Sequence, residues 1–232
     1  AVADAASLHR SRRRKETGRT LLEGPSVVSE AIRAGLAIEV VFVLDGEEPP
    51  SNWSGDVRRV TQPVLERLAG TTTPRGPIAV AAIPKSEIST DRPALVAWGV
   101  GDPGNVGTMI RTAGAFGYGF IAGPGTADPW SPKVVRSGAA GHFETSVGSV
   151  NDLEDLEPWA LIGTVPSGGG VPGPLGPGDA LLVGSEAHGL PLDVIDACER
   201  LVTIPMVGET ESLNAAVAAG IAAYLGAMPD QH

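Results

Sequence analysis

Short apolar runs, set apart by glycine and proline and alternating with stretches of helical spacing, recur along the chain from Arg19 onward. Arg19-Thr-Leu-Leu-Glu23 reads as a strand closed by Gly24-Pro25. Ser26 to Arg33 reads as a helix ended by Gly35, and Ala37 to Leu44 as a second strand. Gln62 to Leu68 has the spacing of a helix, and Pro77 to Ile83 that of another apolar strand. Together they make an α/β unit of about 85 residues, near the lower range for a domain.

The polar segment Lys85 to Pro93 predicts a linker. Beyond it, Ala94–Gly99, Gly119–Ala122, Phe143–Val147, Ala160–Val165, Ala180–Val183 and Leu201–Ile204 suit buried strands. Helical stretches over Val106–Phe116, Pro132–Arg136, Leu192–Cys198 and Leu213–Leu225 separate most of them. That alternation predicts a mainly parallel sheet covered on both faces, and a division into domains at 1–88 and 89–232. Pro166 to Gly178 holds too much glycine and proline for helix or sheet interior, and reads as a passive surface loop.

Composition narrows the core. The chain is 42% hydrophobic but only 4% aromatic, so Val, Ile, Leu and Ala must fill the interior. Cys198 is the sole cysteine, which excludes an intrachain disulfide and a cysteine-based zinc site and points to a reducing cytoplasm. No window approaches the ~18 apolar residues of a membrane span, and the first residues lack the apolar run of a signal peptide. A soluble cytoplasmic protein is expected.

The net charge of −10 speaks against a broad nucleic-acid surface. Its distribution does not. Residues 1 to 19 carry Arg10, Arg12, Arg13, Arg14, Lys15 and Arg19 against Asp4 and Glu16. Six basic against two acidic residues give +4, leaving −14 for the remainder. Such a run is either a frayed, solvated terminus or a local RNA contact.

Gly99-Val-Gly101-Asp-Pro-Gly104 meets the pattern of a dinucleotide-binding loop between a strand and a helix. Pro103 removes one amide donor, and no acidic residue closes Gly119–Ala122, where a ribose ligand belongs. An NAD-binding Rossmann oxidoreductase is the rival reading. Alternatively, these glycines form a turn that presents Asn105 and Arg111. Asn105 then reads as a helix N-cap. Arg111, beside Ile110, Ala113 and Phe116, reads as a half-buried guanidinium suited to an anion.

Three further features carry chemistry. Gly184 ends an apolar strand, where a ligand can approach the backbone closely, and Glu186 follows it. Ile204-Pro205-Met206 ends a strand on a residue without an amide proton, and Gly208 turns the chain. Ser212 can cap the Ala-rich helix that follows.

Taken in order, Asn105-Val-Gly-Thr-Met-Ile-Arg111-Thr-Ala-Gly-Ala-Phe-Gly117, Gly184-Ser-Glu186-Ala-His-Gly189-Leu-Pro191 and Ile204-Pro-Met-Val-Gly208-Glu-Thr-Glu-Ser212-Leu-Asn214 resemble the motifs of the SpoU (TrmH-like) RNA 2'-O-ribose methyltransferases. The resemblance covers residues 92 to 226, and more loosely 1 to 85. It implies an α/β protein with a C-terminal trefoil-knotted (SPOUT) methyltransferase domain. A small ribosomal-protein-like α/β substrate-binding domain would stand in front of it. It implies transfer of a methyl group from S-adenosylmethionine to a ribose 2'-hydroxyl of structured RNA. Ribosomal RNA is favoured because transfer-RNA members commonly lack the front domain.

By the same resemblance, Asn105, Arg111, Glu186, Ser212 and Asn214 form the catalytic pocket. Thr164, Val165, Gly184, Ser185, Ile204, Met206 and Leu213 hold the cofactor. Arg10, Arg12, Arg13, Arg14, Arg19 and Arg136 are RNA-contact candidates, and a homodimer is implied. An arginine stays protonated in proteins, so Arg111 is expected to hold the phosphate beside the target ribose and orient its hydroxyl. No metal is needed, because displacement at a sulfonium requires orientation and proton removal. His188 is expected to be an incidental loop residue. A non-catalytic RNA-binding relative is the remaining alternative. Two departures from the family pattern are Ala215, where valine is frequent, and the glycine–alanine order in Val135 to Gly141.

Overall fold

The computed structural model describes residues 2–70, 74, 76–85, 88–208 and 212–228. Ser86 and Glu87 of the expected linker, and Glu209, Thr210 and Glu211 of the third motif, lie outside the described residues. The N-terminal unit runs α1 (Val2–Ser7), α2 (Ser11–Thr17), β1 (Arg19–Glu23), α3 (Pro25–Arg33), β2 (Ile38–Leu44), β3 (Val57–Val60), α4 (Gln62–Leu68) and β4 (Ile78–Ala82). Its four strands form one mixed sheet in the order β1-β4-β2-β3, antiparallel except for the β2–β3 pair.

The chain continues through β5 (Ala94–Ala97), α5 (Pro103–Phe116), β6 (Gly119–Ala122), α6 (Pro132–Ser137), β7 (Val147–Ser149), β8 (Ala160–Thr164), β9 (Asp179–Val183), α7 (Leu192–Ala197), β10 (Arg200–Val202) and α8 (Ala215–Ala227). Its six strands are all parallel, in the order β10-β8-β9-β5-β6-β7. Strands buried on both faces read as continuous apolar runs, and every residue of β5 and β6 is buried. On one face Met109 and Ile110 of α5 and Ala219 and Ala222 of α8 cover the sheet. On the other, Trp98, Trp159, Leu190 and Val194 do so.

Four elements depart from expectation. The basic terminus is not a solvated fray: α1 and α2 bury Ala5, Leu8 and Arg14, and Leu8 packs with Leu21, Phe42 and Leu65. β3 has no apolar signature because Arg58 and Arg59 are exposed on an edge strand. The strand expected over Phe143–Val147 begins only at Val147, after a 3₁₀ turn at Gly141–Phe143. A side chain at Gly141 would lie 2.6 Å from Arg111 Cα, so the chain turns closely around α5 before it can extend.

Pro166–Gly178 forms no regular element, yet it is not passive. Gly170 bridges to Val202, a Cβ at Gly169 would meet the Val202 backbone at 2.7 Å, and Leu175 donates its amide to Gly226 O at 2.8 Å. The loop therefore lies strapped against β10 and the end of α8. Because β10, β8, β9 and β5 are neighbours and parallel, the residues after each emerge side by side on one edge. That is where ligands bind in open α/β sheets.

Candidate active site at the carboxyl edge of the parallel sheet

Asp102, not Asn105, caps α5. Its Oδ1 accepts the Asn105 amide at 2.9 Å and Pro103 occupies the first turn. The Asp-Pro pair carried this signal in the sequence. With capping done by Asp102, the Asn105 side chain is free for other partners. Its Nδ2 donates to Glu186 Oε1, and its Oδ1 accepts from Asn214 Nδ2 at 3.1 Å.

Asn214 completes the series. Its Oδ1 accepts the amides of Ala216 at 3.0 Å and Val217 at 3.2 Å, so Asn214 caps α8. Ser212, expected in that role, is exposed and makes no side-chain hydrogen bond to a described residue. Residues 81 and 109 positions apart thus meet in one relay, from α8 through Asn214 and Asn105 to Glu186. Each amide uses its donor and its acceptor in fixed senses, which sets the orientation of both asparagine amide groups along the chain of bonds.

Glu186 stands on a tight loop. A Cβ at Gly184 would lie 2.1 Å from the Gly189 carbonyl carbon, so only glycine fits there. Ser185 and Gly189 exchange backbone hydrogen bonds at 3.1 and 2.9 Å, and Ser185 Oγ accepts the His188 amide at 3.2 Å. The imidazole of His188 is exposed, in keeping with an incidental position.

The cofactor candidates gather beside this loop. Val202 of β10 lies opposite Thr164 of β8, whose neighbour β9 runs into Gly184. Thr164 Oγ1 donates to Leu182 O at 2.9 Å, and the Val165 amide donates to Val202 O at 2.9 Å. Just beyond β10, the amides of Ile204, Met206 and Val207 make no hydrogen bond to another described residue. Ile204, Met206 and Leu213 are half-buried. Unpaired backbone donors beside half-buried apolar side chains suit an adenosine, whose edge needs hydrogen bonds and whose faces need apolar cover.

Arg111 lies two turns into α5. It is exposed rather than half-buried, and has no ion-pair or hydrogen-bond partner among the described residues. Ile110 and Ala113 face the core, whereas Arg111 shares the solvent stripe of Thr108 and Ala115. The half-buried expectation misassigned that face.

The dinucleotide alternative fails at the same helix. A pyrophosphate there would need the N-terminal amides of α5, but the Asp102 carboxylate already occupies that end.

The cationic candidates divide. Arg14 is 3% exposed and binds Asp128 Oδ2 through Nε at 3.0 Å and Nη2 at 2.5 Å, with Nη1 on Leu8 O at 2.6 Å. It is a structural residue, removed from RNA contact by burial. Arg136 pairs with Glu23 at 2.5 Å. Arg19 pairs with Asp4 and Glu39, Arg13 with Asp4 and Glu16, and Arg12 with Glu16. Hydrogen bonds from Arg13 and Arg19 hold the Asp4 carboxyl below the usual carboxylate range. Arg10 is exposed and unpaired among the described residues. Burial pushes the Cys198 thiol up to about 11, which leaves it protonated and inert.

Residues 92–224 match the model of the SpoU rRNA Methylase family, and residues 1–79 that of an MRM3-like substrate binding domain. Fold and site thus define the class: an RNA methylase with a substrate-binding domain in front. The chain is 32% identical, over 96% of its length and 94% of the relative's, to the 23S rRNA (guanosine(2553)-2'-O)-methyltransferase RlmP of Bacillus subtilis. An AdoMet-bound rRNA methyltransferase from Sinorhizobium meliloti superposes with a TM-score of 0.83 at 25% identity, over 97% of this chain and 93% of that one. The SpoU methyltransferase AviRb from Streptomyces viridochromogenes shares the fold, with a TM-score of 0.86 at 24% identity over 97% and 96%. The protein belongs to the SpoU family. It is an S-adenosylmethionine-dependent RNA 2'-O-methyltransferase.

Proposed function

We propose that the Glu186–Asn105–Asn214 relay and Arg111 form the catalytic centre for ribose 2'-O-methylation of ribosomal RNA, with the 23S molecule as substrate. The observation that carries this reading is the relay itself, which brings all three motifs to one place. The likeness to RlmP over nearly its whole length supports the choice of RNA.

When bound, S-adenosylmethionine supplies a methyl group on a positively charged sulfur. The backbones of Thr164, Val165, Gly184, Ser185, Ile204, Met206 and Leu213 would hold its adenosine at the strand ends. Asn105 and Asn214 fix the Glu186 carboxylate at the mouth of that edge, and Ser212, exposed and two residues before Asn214 in the chain, is assigned to the same pocket. Arg111, unpaired among the described residues, holds the phosphate next to the target ribose in bidentate fashion and sets the hydroxyl for attack.

The protein acts as a homodimer. Val217, Ile221 and Tyr224 lie at i, i+4 and i+7 on the exposed face of α8, a helix without a charged residue. An apolar helix face of this kind calls for a cover. The trefoil knot is supported by membership of the SpoU family. Domains at 1–88 and 89–232 separate RNA capture from chemistry, with Arg10 and Arg12 among the exposed cations of the front domain. No helix among the described residues is long and apolar enough to cross a membrane, and a cytoplasmic site of action accords with a ribosomal substrate.

Mapping ribose methylation in 23S ribosomal RNA from cells with and without the gene tests the reading. Loss of one modified position in the deletion, restored by the wild-type gene and not by Arg111→Ala, is the expected result. An unchanged map would overturn it.

A further inference from the structure

The segment from Asp128 to Phe143 is held on one side by the front domain and on the other by α5. On the first side, Thr20 Oγ1 donates to Trp130 O at 2.6 Å, Arg14 binds Asp128, and Arg136 Nη1 binds Glu23 Oε2 at 2.5 Å. The Glu23 carboxyl is 6% exposed, and its second oxygen accepts the Gly70 amide at 3.0 Å. Both oxygens of a buried carboxylate are therefore committed. Removing one partner leaves an uncompensated charge and forces the segment to move.

On the second side there is no slack. A Cβ on Gly107 of α5 would meet Ser137 Cβ at 2.6 Å and Gly138 N and Val134 O at 2.7 Å. A Cβ on Gly141 would meet Arg111 Cα at 2.6 Å and Arg111 N at 3.1 Å. The backbone that carries Arg111 thus rests directly on the Gly138–Gly141 turn, with no intervening side chain. Interlocked surfaces at this distance move together.

That turn is itself strained. Ala139 and Ala140 have φ of 43° and 74°, and they are the non-glycine residues in the left-handed region among the described residues. Each costs on the order of 1 kcal/mol and persists only where its flanks are fixed. Arg136 fixes one flank. His142 fixes the other, its Nε2 hydrogen-bonded to Pro129 O at 2.8 Å. Since Arg111 has no side-chain partner among the described residues, its placement depends on this backbone.

We infer that Glu23 and Arg136 are positioning residues for Arg111: their ion pair lets the front domain hold α6 and the turn on which the Arg111 backbone rests. The inference builds on the proposed catalytic role of Arg111. The front domain then does more than capture RNA, because it sets the geometry of transfer.

The test compares Arg136→Gln, Glu23→Gln, Glu23→Asp, Arg136→Lys and Arg111→Ala in the full chain. Turnover is measured with tritiated S-adenosylmethionine and ribosomal RNA from cells lacking the gene, and cofactor affinity by calorimetry. Both Gln variants are expected to lose kcat by ~10- to 100-fold, the scale of a displacement near 1 Å. Cofactor Kd and the KM for RNA should stay within about threefold, far below a tenfold step of affinity. Arg136→Lys, which keeps the charge, should recover much of the turnover. A kcat within about twofold of wild type in both Gln variants, or a loss that Lys does not mitigate, overturns the inference. Should the Gln variants fail to fold, Glu23→Asp decides: normal kcat with intact cofactor binding overturns the inference, and reduced kcat with intact binding supports it. Arg111→Ala separates the two levels. If it is inactive while Arg136→Gln is normal, only the positioning fails; if it is active, the role of Arg111 fails.

Discussion

Asn214 donates to Asn105 Oδ1 at 3.1 Å while the oxygen of the same amide caps α8, so one side chain both starts a helix and orders the relay proposed as the catalytic centre. The two duties separate on substitution. Asn214→Asp keeps the oxygen that accepts both cap hydrogen bonds but loses the donor to Asn105, so thermal stability should change little while turnover falls by ~100-fold through misplacement. Asn214→Ala should lose turnover and about 1 kcal/mol of stability as well. Chemical denaturation alongside methyl incorporation distinguishes them; equal stability loss in both variants would rule out the split.

Arg111 is exposed and its guanidinium makes no hydrogen bond or ion pair with a described residue, so its removal should cost little in folding. Arg111→Ala should leave stability within about 0.5 kcal/mol of wild type and cofactor affinity unchanged, yet abolish transfer. Arg111→Lys should recover little, because an ammonium cannot reproduce the bidentate fork. Full activity of the Lys variant would argue against bidentate phosphate holding.

His142 makes stability depend on pH. Burial lowers its pKa to about 4, against the hydrogen bond to Pro129 O, and Nδ1 has no partner among the described residues. Above the ordinary value of 6.5 the imidazole is neutral in both folded and unfolded states. As pH falls from 6.5 towards 4, the unfolded chain takes up a proton that the folded one refuses. Stability should therefore drop over that window by roughly 3 kcal/mol and level off below it. Urea midpoints across this range should show the drop in wild type and a shallower one in His142→Phe.

Ile221 lies at the centre of the exposed apolar stripe on α8. Ile221→Glu places a charge on that face and should convert a dimer to a monomer by sedimentation without unfolding the chain. Its turnover should fall with dimerisation if the site is completed by the partner. Wild-type sedimentation as a monomer at micromolar concentration would remove the dimer from the account.

Much of the architecture was legible in the order of residues. β1 and α4 and β6 lie where their apolar spacing put them, and the alternation of strands and helices beyond Ala94 implied the parallel sheet. Apolar period and turn residues act locally, so local sequence reports them. The burial of Arg14 was not legible in the basic run because its carboxylate partner, Asp128, is 114 residues away.

The site divides in the same way. The chain alone determined which residue types stand at the three turns, and that Gly184 and the Asp102-Pro103 pair would shape the backbone there. Only the folded molecule decided that Asn105 faces Glu186 and Asn214, that Arg111 faces solvent, and that Glu23 reaches Arg136. Side-chain partners across such separations depend on strand order and helix rotation, and these follow from how the whole core packs.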